Sequence, residues 1–528
     1  MLRAPRHLLA VLTAVAASCA APAIGDPMRP FSIWPAQPFD VAVPVTAPIY
    51  VPEISRALRA KPVATSASFR VEVTVGRPKG SPTHRLLQRS ATLPAFDGSY
   101  DTIPAIVVKR GRVDLQTLAK QSGVAPHLKC EADHCTLSSA LLVAKGAELL
   151  IDNTHIDLIQ QSGAMIVNYG HMTVRNSYLQ ARMPVGFSFG KEAREFRPFL
   201  SGQEGSDTHL IGSVFKDLGY NRPSSYGVSI DARTGEAEPT GVLVGNVFDG
   251  LYYGFYSHHA KNVPIVDNLY RDNIIYGIDP HDYSYNLWIL GNRAYGTKKK
   301  HGIIISRGVH DTVIAMNRSH DNARAGIMLD RHSSNNTVIY NHNWRNGYDG
   351  IAIYESSGNL IAHNTGVENG KTGLRIRNSQ DLIVAHNYFS GNVTGIKAYT
   401  GRPNGFERRD EDIYRMEVQA NLMENTVSAN HREDLSLKGC VSRMVFTTLS
   451  NKQPGFTTPN VRFGGDKTWK EMLRRVSKLT YGDLEVRYDC EVFIVEPAVE
   501  RAERDAALAS AAAEQAARDI EARASLRQ

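Results

Sequence analysis

Hydrophobic and polar residues alternate along the middle of this chain in short bursts, with the apolar positions filled mostly by Val and Ile. NVPIVDN, NLWILGN, DTVIAMN, NTVIYNH and NLIAHN are typical. Runs of this length and composition predict strands, not helices. Seven segments align on one glycine: YYGFYSHH, IYGIDPHD, KHGIIISR, RAGIMLDR, YDGIAIYE, KTGLRIRN and VTGIKAYT. The glycines, from Gly254 to Gly395, are spaced by 23, 25, 24, 24, 23 and 22 residues. Asn246, Asn268, Asn292, Asn317, Asn341, Asn364 and Asn387 run in phase with them, and five of these have a second Asn five residues on. Asn and Gly are read as residues for sharp corners, because they tolerate left-handed backbone. Stacked Asn side chains also suit a hydrogen-bonded ladder. Such a period with two or three strands per repeat predicts an all-β fold, a parallel β-helix solenoid. The leucine-rich repeat consensus is absent. Coils stack at about 4.8 Å, so one solenoid replaces the several domains that 528 residues would otherwise suggest.

Outside the repeat the pattern weakens. Residues 1–25 read as a secretory signal: Arg3 and Arg6, a short apolar run, then small residues. Residues 26–110 read as an N-terminal cap that covers exposed strand edges, and 111–497 as the solenoid. An insertion near 182–205 lacks the pattern and reads as a loop or lid. Residues 498–528 are rich in Ala, Glu and Arg and predict a helical or disordered tail. Besides Cys19 in the signal, the four cysteines pair most locally as Cys130–Cys135 and Cys440–Cys490. No other apolar stretch is long enough to cross a membrane, so a soluble, exported protein is expected.

A period of two fixes which side chains face outward after each glycine. Ile278 and Pro280, Ile303 and Ile305, Ile327 and Leu329, Ile351 and Ile353 point inward. Asp279, His281 and Asp282, Ser306 and Arg307, Asp330 and Arg331, Tyr354 and Glu355, Arg375 and Arg377 form an outward stripe, with His258 and His259 one coil earlier. Lys298, Lys299 and Lys300 add a basic cluster. Lys+Arg 60 against Asp+Glu 53 leaves +7. A mainly basic groove with interspersed carboxylates suits an extended anionic polymer. Nucleic acid fits poorly, because the groove lacks an aromatic stacking platform. Pro280 is out of place in a ladder, which marks Tyr276–Asp282 as either a bulge or an active site.

YRDNIIYGIDPHDYS followed by YGTKKKHGIIISR resembles the periplasmic mannuronan C5-epimerases of bacterial alginate biosynthesis, over about Gly241 to Gly395. The resemblance implies a right-handed parallel β-helix with a lid, acting on polymannuronate in the periplasm. It places the catalytic base at His281 and the carboxylate-neutralising arginine at Arg307, with Asp279, Asp282 and Tyr276 around the base. Removing a proton α to a carboxylate builds a dianionic enediolate, which an arginine fork stabilises. A histidine is poised near neutral pH to take that proton. Reprotonation from the other face falls to water or Tyr276, and either Asp279 or Asp282 orients the base. Asp282, His258, Lys299, Asp330, Arg331, Tyr354, Arg375 and Arg377 are expected to hold the polymer. No metal or cofactor is expected. Other components of the alginate synthesis and secretion complex are expected partners. Two alternatives share the residues: a β-helix polyuronate lyase, and a non-catalytic alginate-binding scaffold.

Overall fold

The computed structural model describes residues 68–74, 104–188, 193–401, 418–423 and 425–438, together with the backbone of strands at 31–35, 443–445, 448–450, 461–463, 484–488 and 492–496. The expected signal, the tail and the Cys440–Cys490 pair lie outside the described residues. The chain winds into a right-handed parallel β-solenoid of about 11 turns. Each regular coil carries three strands, and each strand pairs in parallel with its counterpart one coil away. The glycine face runs through Tyr253–His258, Tyr276–His281, Ile303–Ser306, Ile327–Asp330, Asp349–Tyr354 and Thr372–Arg377. A second face holds Trp288–Leu290 and Val313–Ala315, and a third holds Arg293–Tyr295 and Arg318–His320.

The ladder begins at Ala105–Asp114, inside the stretch expected as cap. That strand pairs with Arg70–Thr74 antiparallel and with Ala140–Val143 and Ala147–Asp152 in parallel. Toward the other end Leu484–Tyr488 and Val492–Glu496 leave the helical path. They form a three-stranded antiparallel sheet with Phe31–Pro35. Within the insertion, Leu200–Gly202 is a strand of the stack. Phe196 and Phe199 pack with Tyr169, Tyr220, Met165 and Val167 in one apolar cluster. Cys130 and Cys135 face each other across a hairpin and form a disulfide.

The core is a column of inward residues, Ile278, Ile303, Ile305, Ile327, Leu329, Ile351 and Ile353, none of them exposed. Phe215, Phe248 and Tyr270 stack at 5.2 and 4.6 Å, ring centre to ring centre. At one corner the asparagines form the expected ladder. Each backbone N–H donates to the Oδ1 of the next coil's asparagine, from Asn246 through Asn387 to Asn425, at 2.8–3.0 Å. A second ladder joins Asn322, Asn346, Asn369, Asn392 and Asn430. Each such bond contributes about 1 kcal/mol net, and a broken one leaves buried donors unsatisfied.

The corner residues differ from expectation in one respect. Neither the ladder asparagines nor the seven repeat glycines have positive φ; the left-handed residue is the one before each asparagine, such as Gly291, Met316, Tyr340 and His363. The repeat glycines answer a close approach instead. A Cβ on Gly254 or Gly277 would stand 2.4 Å from the carbonyl oxygen of the next coil's glycine.

Candidate active site

One in-register row on the glycine face gathers several of the sequence-predicted site residues. Asp231, His258, His281, Ser306, Asp330, Tyr354, Arg377 and Tyr399 are successive neighbours on eight strands. The next row sits at the corner where the chain leaves this face. His259, Asp282, Arg307, Arg331, Glu355 and Asn378 all take positive φ there, at 33–60°. For a non-glycine residue that conformation costs about 1–2 kcal/mol, so Arg307 occupies a position that favours Asn or Gly. Gly308 follows it with φ 74°, and a Cβ there would lie 2.7 Å from the Tyr283 ring.

Around His281 the sequence-derived residues converge. Its Nδ1 lies 2.9 Å from Asp282 Oδ2, so Asp282, of the two aspartates left open, faces the imidazole. The same oxygen is 3.4 Å from His258 Nε2, and His258 Nδ1 is 3.6 Å from Asp231 Oδ1. Ser224 Oγ donates a short hydrogen bond to Asp231. The hydrogen bond of His258 Nδ1 goes to the Ala232 carbonyl oxygen, so Asp282 lies between two imidazoles on adjacent coils while Asp231 adds its charge from a third. Burial disfavours charge on His258, but the Asp282 hydrogen bond and the Asp231 charge outweigh it and raise its pKa.

Asp279 is outward-facing, as the period of two requires, yet only 1% exposed. Burial pushes its carboxyl well above the ordinary range against the pull of Lys300, with Asp282 and Asp330 adding to the rise. The Asp279 Oδ1 atom is buried with no hydrogen-bond partner. Tyr256, its neighbour one coil earlier, stands 5.9 Å from the His281 ring and is kept neutral by burial and by nearby acidic groups. Tyr276 receives a 3.0 Å hydrogen bond from Lys300 Nζ and stacks on His301. His301 is half-buried, and desolvation beside Lys300 and Arg324 lowers it to about 3.

Pro280 is buried and has no N–H, and the pairing to the next coil is reduced to Ile278↔Ile303 and His281↔Ser306. That coil also breaks the second asparagine ladder, with Thr297 standing between Asn273 and Asn322 and accepting no ladder bond from Asn273.

Farther along the groove the expected basic residues are engaged. Arg375 donates from Nε and Nη2 to Asp349 Oδ1 at 3.0 and 2.8 Å. Arg377 forks onto Glu355 at 2.8 Å on both oxygens and lies 3.9 Å over the Tyr354 ring. Asp330, buried, is held by Arg331 at 2.9 Å and approached by Ser306 Oγ at 3.4 Å. Lys299 is exposed. Sequence reasoning missed an apolar floor between these groups. Ile304, Met328 and Ala352, two residues after their glycines, are buried with Tyr252, Ile275, Tyr276 and Ala193 of the insertion. The period of two placed them outward; their hydrophobicity was the signal.

Residues 213–417 match the family described as periplasmic copper-binding protein (NosD). A mannuronan C5-epimerase of Pseudomonas putida is 38% identical over 302 residues, 53% of this chain and 58% of that protein. The mannuronan C5-epimerase AlgG of Azotobacter vinelandii is 40% identical over 268 residues, 48% of this chain and 50% of that protein. The alignments thus span about half the length of these curated relatives. A crystal structure of a double mutant of the periplasmic alginate epimerase AlgG superposes with a TM-score of 0.67 at 30% identity, covering 80% of this chain and 100% of that one. With a matching coil architecture along the whole of a solved member at 30% identity, the chain belongs to the mannuronan C5-epimerase family.

Proposed function

We propose that the chain epimerises β-D-mannuronate to α-L-guluronate at C5 within polymannuronate, in the periplasm where its solved relatives are named to act. The observation that carries this reading is the placement of His281, backed by Asp282, one coil from Arg307. Adjacent coils are about 4.8 Å apart, a span one sugar ring can bridge. With Nδ1 turned to Asp282, Nε2 of His281 is the nitrogen we assign to the C5 proton. The Arg307 guanidinium binds the carboxylate of the same sugar and stabilises the enediolate as charge builds. The proton returns on the opposite face from water or from the Tyr276 hydroxyl, which Lys300 holds in place.

Asp279, kept toward its neutral form, is suited to donate a hydrogen bond to a sugar hydroxyl, while Asp282 positions the base. The segment around Ala193 is a lid over the groove in this reading. Lys299, Arg331 and the Tyr354 edge are the polymer contacts. Arg375 and Arg377 contribute through the rigid pairs they form with Asp349 and Glu355. Docking to other parts of an alginate synthesis and secretion complex belongs to the same reading.

Proton NMR of polymannuronate incubated with the protein in deuterated buffer tests it, with ultraviolet absorbance followed in parallel. Guluronate signals carrying deuterium at C5, without unsaturated chain ends, are expected. Rising absorbance with shortening chains would make the protein a lyase, and binding with neither change would leave a scaffold.

A further inference from the structure

On the second face of the early coils, away from the groove, His171, Asp207 and His209 turn their donor atoms toward one another. His171 Nδ1 and His209 Nε2 each lie 3.1 Å from the same oxygen, Asp207 Oδ2. All three donors fall within 4.8 Å of one another. Imidazole nitrogen and carboxylate oxygen bind zinc at about 2.0–2.2 Å, which sets neighbouring donors about 3.0–3.5 Å apart. The two imidazole-to-carboxylate spacings, at 3.1 Å, are those of donors in one coordination shell.

The atoms facing away from the cluster are also provided for. Thr173 Oγ1 lies 3.3 Å from His171 Nε2, and Thr240 Oγ1 donates to Asp207 Oδ1 at 3.0 Å. Outer partners of this kind fix the ring orientation of metal-bound histidines and the rotamer of metal-bound carboxylates. The strands supply them by register: His171 and Asp207 are paired neighbours, Asp207 and Thr240 the next pair, and Thr173 and His209 pair two residues on.

From this geometry we infer that His171, Asp207 and His209 form a binding site for a divalent transition-metal ion, zinc being the probe of choice. Two imidazoles and a carboxylate on one side leave the outward positions to water. The ion bridges two adjacent coils and takes no part in the groove chemistry. The other His/Asp cluster, His134, His155 and Asp157, is built differently. Arg182 Nε already donates to Asp157 Oδ1 at 2.7 Å, so a cation occupies the place an ion would take.

The test uses the intact chain, stripped of metal and titrated with zinc against a chromophoric chelator, with bound zinc counted by mass spectrometry. The parent chain is expected to hold an equivalent of zinc that His209→Ala lacks and His134→Ala retains. Thr240→Val, which removes only the hydrogen bond to Asp207, should bind about 10–100-fold more weakly. Zinc should raise the melting temperature of the parent chain and not that of His209→Ala. Undiminished zinc in His209→Ala, unaltered affinity in Thr240→Val, or no saturable binding by the parent chain would overturn the assignment.

Discussion

The coils around His281 and those around Arg375 share one backbone plan and use it in opposite ways. In the later coils both asparagine ladders are continuous and arginines are matched to carboxylates: Arg375 with Asp349, Arg377 with Glu355. In the His281 coil a proline interrupts the sheet, a threonine replaces a ladder asparagine, and a carboxyl is buried without a hydrogen bond on one oxygen. Local rules are broken around the proposed reactive groups, and the neighbouring coils carry the stability that permits it. A repeat fold supports this division, because each coil contacts only its neighbours.

Substitutions can sharpen this contrast. The largest effect is expected from His281→Ala, with turnover falling about 10²–10⁴-fold while the melting temperature stays put; retained guluronate formation by NMR would remove His281 from its role. Arg307→Lys keeps the charge but loses the fork, so a loss of about 10²–10³-fold is expected, read as kcat at saturating polymer. Asp282→Asn severs His281 from His258 and should lower kcat by about tenfold or more, with a shifted pH–rate profile that a merely structural change would not give.

Asp279→Asn should act on stability with a sign that depends on pH. A carboxyl raised by folding stabilises fully below its unfolded pKa of about 4, and that contribution is lost as pH rises toward the folded value. The amide escapes this loss. The variant should therefore match the parent chain near pH 3 and exceed it in melting temperature at pH 7, while losing activity. In the regular coils, Asn317→Ala strands buried donors and should cost about 1–3 kcal/mol by denaturant titration, with the kcat of the folded enzyme unchanged. Arg377→Met, which breaks a pair with the buried Glu355 away from His281, should have the smallest effect on turnover.

The periodic part of the molecule was legible because glycine close approach and asparagine stacking leave a mark on every coil. The glycine's reason was misread: contact with the next coil, not a left-handed turn, demands it. The roles given to His281 and Arg307 came from the family resemblance of the DPHD and HGIIISR segments, not from their spacing. The Asp231 and Ser224 pair beside His258 was not legible, since both lie upstream of the regular repeat. Nor were the Arg375–Asp349 and Arg377–Glu355 pairs, whose partners sit in offset rows 22–26 residues apart. The burial of Asp279 is not reported by spacing alone, which places it outward.

The asparagine ladder also gives the chain a direction in time. The backbone N–H of Asn317 donates forward to Asn341, on a coil that is synthesised later, while its side-chain amide reaches back to the Ile289 carbonyl on the coil before. Each arriving asparagine thus completes the coil that preceded it and leaves its own N–H waiting. A chain emerging N-terminus first therefore leaves open, in each of the two ladders, only the rung at its growing end.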